Sequence, residues 1–164
     1  RFTAKVPSWY YEVVAPGFKY NMTDIAAAMG IHQLKKANGF QMRRAQVAAM
    51  YDAAFEGLPI ILPPKPAIGD VHSWHLYVIQ LGESVGLTRD RFVEQMFELG
   101  IGCSVHYIPL HLHPYWRDTY KLCPEMFPVS QKVYERTVSL PMYSGMTDTD
   151  VERVVEAVEW VLGS

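Results

Sequence analysis

Only two cysteines, Cys103 and Cys123, occur in the 164 residues. They form no CxxC pair and no disulfide framework, which points to a reducing compartment. No apolar run approaches the ~20 residues that cross a bilayer, and no secretory leader is read at the amino end, so a cytoplasmic chain without a membrane partner is expected. Charge of one sign is missing too: 15 Lys and Arg against 17 Asp and Glu leave a net −2. A nucleic-acid surface needs a concentrated basic patch, and Lys35-Lys36 and Arg43-Arg44 read instead as solvated helix faces. Repeats and low-complexity segments are absent. What is there is 49% hydrophobic and 20% charged, an ordinary composition for one domain with a real core.

Residues 1–20, aromatic-rich with Pro7, Pro16 and Gly17, read as irregular chain that packs against something else. Thr23 is placed to cap a helix and Asp24 to favour its dipole. Gly30 and Gly39 weaken that helix, and a bend or break is predicted around Asn38-Gly39. A second helical stretch carries Phe40, Val47, Tyr51 and Phe55 on one stripe and ends at Gly57 and Pro59. Pro63-Pro64-Lys65-Pro66 is a stiff connector. Residues 73–81 read as a strand, with Trp74 and His75 as packing residues. Thr88 caps a helix that turns Phe92, Val93, Met96 and Leu99 inward and stops at Gly100.

Residues 101–108 follow as a strand ended by Pro109, which has no N–H for a sheet ladder. Pro128 opens a short helix to about Thr137, and 138–140 is a short strand. Thr147 and Asp150 form a capping box for a final helix with the stripe Val151, Val154, Val155, Val158 and Leu162. Together these predict an α/β fold: a small two-layer sandwich of about three strands with helices on one face.

Candidate chemistry concentrates in residues 100–116, GIGCSVHYIPLHLHPYW. In an extended segment, alternation sends Ile101, Cys103, Val105 and Tyr107 to one face and Gly102, Ser104, His106 and Ile108 to the other. His106 then stands at a strand end, with His111 and His113 on the loop beyond, where a rigid element meets a polar loop. Capping or surface roles are the alternative. Cys103 faces away from His106, which disfavours a cysteine–histidine nucleophile; it reads as a small buried hydrophobe. Cys103, His106, His111, His113 and Cys123 lack the paired spacing of structural zinc, and no metal is expected. Lys19, Asn21 and the backbone N–H groups at Thr23 make an anion-binding set, to which His106 and His111 add donors. A plain turn before a helix is the other reading of that segment.

Four segments in order, GFKYNMTDIAAAMGIHQL, HSWHLYVIQL, LGIGCSVHYIPLHLHPYW and VSLPMYSGMTDTDVERVVEAV, resemble the sugar aminotransferases of the DegT/DnrJ/EryC1/StrS family across residues 17–162. The resemblance implies the C-terminal domain of a fold-type I enzyme that uses pyridoxal 5′-phosphate (PLP). Such enzymes move an amino group, usually from glutamate, to a nucleotide-linked keto-sugar, with polysaccharide biosynthesis as the setting. It also implies a homodimer whose active sites draw on both subunits. By the same resemblance Asn21 reaches the cofactor phosphate across the dimer, with Lys19 beside it, although many relatives carry Asn at position 19 and Arg at 21. His106 matches a position near the nucleotide-sugar substrate, and His111 follows in the same loop.

The lysine that holds PLP covalently, and the carboxylate that pairs with its pyridinium nitrogen, would lie upstream. Lys5 and Lys19 do not match that lysine's context, so no catalytic residue is assigned in this chain. The expectation is a piece of a longer enzyme, silent by itself: residues 1–22 as the tail of a missing large domain, 23–57 as linking helices and 58–164 as the small domain. The Lys19/Asn21 pattern is similar to relatives that aminate a UDP-linked 4-keto-pentose. A reading of another class stays open: a free-standing α/β ligand-binding or dimerisation module.

Overall fold

The computed structural model describes residues 9–163, and its two compact units divide between Lys36 and Ala37. In the first unit, Thr23 Oγ1 accepts from the Ala26 N–H at 3.3 Å, the cap its sequence predicts. Trp9, Phe18, Tyr20, Ile25 and Leu34 of this unit are exposed. Helix α1 (Asp24–Ala54) is one continuous element and does not break at Asn38-Gly39. A helical glycine costs roughly 1 kcal/mol relative to alanine, which the flanking Ala, Leu, Lys, Gln and Arg residues outweigh.

The second unit is organised on an antiparallel sheet in the order β1 (Ile60–Ile61), β2 (Tyr77–Leu81), β3 (Thr137–Leu140). Tyr77 pairs with Leu140, Ile79 with Val138 and Leu81 with Ile60. The period of two puts Tyr77, Ile79, Leu81, Val138 and Leu140 on one face, none more than 3% exposed. The same core takes in Val47 and Tyr51 of α1, Phe92 and Met96 of α2 (Arg89–Glu98), and Val151, Val154 and Val158 of α5 (Asp148–Gly163). Tyr51 lies 4.9 Å from Tyr77, ring to ring. Their hydroxyls donate to Pro141 O at 2.9 Å and to Asp52 Oδ1 at 2.7 Å. Burial raises both phenol pKa values, so each remains a donor. α3 (Pro114–Tyr120) and α4 (Pro128–Arg136) sit between α2 and β3 in the chain.

The expected α/β sandwich of about three strands is the one found, but its third strand is different. Residues 101–108 form no strand; only Ser104 pairs, as an isolated bridge to Ser139. The missing strand is β1, whose two isoleucines are too few to show a period. The strand expected over 73–81 is shorter, because Trp74 takes φ +47° and its N–H donates to His72 Nδ1 at 2.9 Å, a turned conformation. Trp74 is buried as expected, whereas His75 is exposed.

Helix signals fare better. Thr88 Oγ1 accepts from the Arg91 N–H at 3.3 Å, and Gly100, at φ +77°, follows the end of α2. Leu99 is the exception. It is the C-cap and 39% exposed rather than inward. The box at α5 is reciprocal: Asp150 Oδ2 accepts from the Thr147 N–H at 2.8 Å, and Thr147 Oγ1 accepts from the Asp150 N–H at 3.1 Å. Ala157 and Val161 complete the buried stripe of α5, with Val155 and Leu162 half-buried. Among the described residues no helix is long and apolar enough to cross a membrane.

The open end of the β1–β2 pair, opposite their connection, is closed by Gly82, whose N–H donates to Pro59 O at 2.8 Å. A Cβ at Gly82 would stand 2.3 Å from that oxygen, so the close approach requires glycine.

Candidate functional site

The histidine-bearing segment is held from its first residues. Ser104 and Ser139 exchange two backbone hydrogen bonds, N–H to O, at 3.0 and 2.8 Å. This closely bonded pair makes His106, two residues on, the diagonal same-face neighbour of Ser139. His106 Nδ1 is 3.1 Å from Ser139 Oγ, and Ser139 itself is 3% exposed. The alternation predicted for residues 101–108 does not run through the segment: Ile101 is buried while Tyr107 is exposed, and Tyr107 borders the same groove as His106. His106 borders a groove of about 470 Å³ together with Tyr107, Leu110, Val133, Tyr134 and Thr137. The His106–Tyr107 peptide bond is cis.

The loop beyond is fixed by the other two histidines. His111 is 4% exposed, its ring is stacked on Phe127 at 4.9 Å, and its Nε2 is 2.9 Å from Gln131 Oε1 of α4. That oxygen only accepts, so Nε2 carries the proton. The side chain is thus built into the support of the loop, and His111 does not line the groove. The resemblance implies a place for His111 beside the substrate; the glutamine that holds it lies twenty residues away, beyond the reach of a local pattern. His113 Nε2 is 3.2 Å from Ile108 O, which closes the turn around the short 3₁₀ segment Leu110–Leu112.

Cys103 is half-buried, and burial pushes its thiol up to about 11, so at neutral pH it is not a thiolate nucleophile. Among the described residues no group of three His, Cys, Asp or Glu side chains is arranged to hold a metal. Lys19 and Asn21 are exposed in the first unit, just ahead of the capped start of α1. Lys5 lies outside the described residues. Sequence reading missed Ser139 and Gln131, each of which holds a histidine. The signal for Ser139 is the two-residue spacing of Ser104 and His106, carried across the bridge from Ser104.

Over residues 2–159 the chain matches the DegT/DnrJ/EryC1/StrS aminotransferase family. It is 46% identical over 156 residues to the uncharacterized protein MJ1066 of Methanocaldococcus jannaschii, covering 94% of this chain and 40% of that protein. It is 44% identical over 153 residues to the spore coat polysaccharide biosynthesis protein SpsC of Bacillus subtilis, covering 92% of this chain and 39% of that protein. Among solved structures, the putative sugar aminotransferase Spr1654 of Streptococcus pneumoniae superimposes in its PMP form with a TM-score of 0.81 and in its PLP form with 0.80. Identity to it is 28%, over 95% of this chain and 39% or 40% of that one. The chain spans about 40% of the length of the curated relatives it matches. With the family match running almost end to end and the fold shared, the chain belongs to the DegT/DnrJ/EryC1/StrS aminotransferase family.

Proposed function

We propose that this chain is the C-terminal part of a PLP-dependent aminotransferase. It converts a nucleotide-linked keto-sugar to an amino sugar with glutamate as donor, in the cytoplasm and as a homodimer. The match across residues 2–159 carries this reading. The pneumococcal relative solved in PLP and PMP forms supports the cofactor, and SpsC supports polysaccharide biosynthesis as the setting.

Lys19 and Asn21 suit the cofactor's phosphate chemically: a cation and an amide donor, both exposed, precede the N-terminus of α1, where unpaired N–H groups favour an anion. When bound, PLP acts as an electron sink for the carbon that bears the amino group. This chain's residues bind and orient. The Asn21 amide donates to the phosphate, Lys19 adds positive charge, and the His106 imidazole donates to the sugar nucleotide from the groove. His111, braced by Gln131 and Phe127, keeps the loop in place. The lysine that moves protons belongs to a part of the enzyme outside this sequence, so the 164-residue chain alone is expected to form no amino sugar.

The test incubates the full-length enzyme with PLP, glutamate and a panel of nucleotide-linked 4-keto-sugars, and follows 2-oxoglutarate release and the product mass. Failure to aminate any of them would refute the sugar-nucleotide reading. In the same enzyme Asn21→Ala should weaken PLP retention about ten- to a hundredfold. This is the effect of losing a hydrogen bond to a charged phosphate, ~1.5–3 kcal/mol. Dialysis followed by titration of activity with added PLP measures it. Unchanged retention would shift the phosphate contact to Lys19.

A further inference from the structure

The buried hydroxyl of Ser139 has no role in the sheet itself. β3 pairs with β2 and Ser104 through the backbone, and the backbone N–H and C=O of Ser139 exchange bonds with Ser104. Its Oγ–H carries one hydrogen that must find an acceptor inside the protein, since the residue is 3% exposed. Among the described residues the one partner of that hydroxyl is His106 Nδ1, at 3.1 Å. Were Nδ1 protonated, the imidazole would donate to Oγ and leave the hydroxyl hydrogen without an acceptor. With Nδ1 bare, Ser139 donates, both groups are satisfied, and the imidazole proton sits on Nε2.

We propose that Ser139 is a positioning residue for substrate binding: its hydroxyl holds His106 in the tautomer that presents Nε2–H as a donor. This inference rests on the reading that His106 contacts the sugar nucleotide. The chemistry matches what such a ligand needs, because diphosphate oxygens accept hydrogen bonds and never donate them. In the other tautomer Nε2 would be an acceptor, and its lone pair would face those oxygens. Two features keep the pair in register. The Ser104–Ser139 bridge fixes the backbone two residues before His106. On the other side of β3, the Val78–Ser139 pairing fixes the strand that carries the hydroxyl.

A double-mutant cycle in the full-length enzyme tests this, with Ser139→Ala, His106→Ala and the double variant. Ser139→Ala should raise KM for the sugar nucleotide about three- to tenfold, the weight of one neutral hydrogen bond, with kcat changing by less than twofold. It should add nothing in the His106→Ala background, because it acts through the imidazole. Ser139→Thr, which keeps the hydroxyl, should restore most of the loss. Imidazole nitrogen shifts in histidine-labelled enzyme should show a bare Nδ1 in the parent and a mixture of tautomers in Ser139→Ala.

Effects that multiply in the double variant would overturn the proposal while leaving His106 as a substrate contact. So would a His106 tautomer indifferent to Ser139→Ala. If His106→Ala alone leaves KM for the sugar unchanged, the binding role of His106 falls, and the positioning role of Ser139 falls with it.

Discussion

Phe92→Ala should lower the stability of the protein by about 3–5 kcal/mol, the range for a fully buried phenylalanine. Phe92 is 0% exposed on α2, one turn before Met96, which is also 0% exposed. Both join a core that includes Tyr77, Ile79 and Val138 of the sheet and Val154 and Val158 of α5. Truncation leaves a cavity beneath a helix that this side chain holds in place, and the neighbours on the sheet cannot move in without breaking strand pairing. Against a typical domain stability of ~5–15 kcal/mol the loss is a large share. Urea denaturation followed by circular dichroism reads it, and a loss under about 1 kcal/mol would mean that the core refills the space. Phe97, 75% exposed on the same helix, is the control whose truncation should have little effect.

His106→Ala in the full-length enzyme should raise KM for the sugar nucleotide about ten- to a hundredfold, the weight of one hydrogen bond to a charged group. The imidazole borders a groove otherwise lined by side chains such as Leu110, Val133 and Tyr134. Tyr107, Ser130, Tyr134 and Thr137 add hydroxyls to the same groove, and the imidazole is the side chain there that can also carry a positive charge toward an anionic ligand. The half-reaction with glutamate involves no sugar, so single-turnover kinetics with glutamate should change far less. An equal collapse of both halves would place His106 in the proton transfers instead.

What could be read from the chain beforehand divides by sequence distance. Thr88, Thr147 and Asp150 act on N–H groups three residues away, so their caps were legible as spacing. The stripe on α5 was legible because four valines repeat with the helical period. The segment 101–108 was not, because a strand exists only where a ladder forms, and its partner Ser139 lies far along the chain. His111 shows the same limit: its burial depends on Phe127 and Gln131, and a histidine in a polar loop carries no local sign of either. Gly30 and Gly39 misled in the other direction, since two poor helix formers were weighed without the long run of good ones around them.

The hydrogen bond between Gly82 and Pro59 pins the open end of the β1–β2 hairpin, and residues 62–76 leave the sheet from its other end. Residues 72–74 of that excursion are tied down: Gln41 Nε2 and Arg44 Nε donate to His72 O and Ser73 O at 3.2 and 2.8 Å, and Trp74 is buried. The tip, residues 64–71, is exposed throughout. Within it Asp70 N–H donates to Ala67 O at 3.0 Å, a bond local to the tip. Within this chain the tip is therefore where inserted residues would disturb the least packing and the fewest hydrogen bonds of the sheet and core.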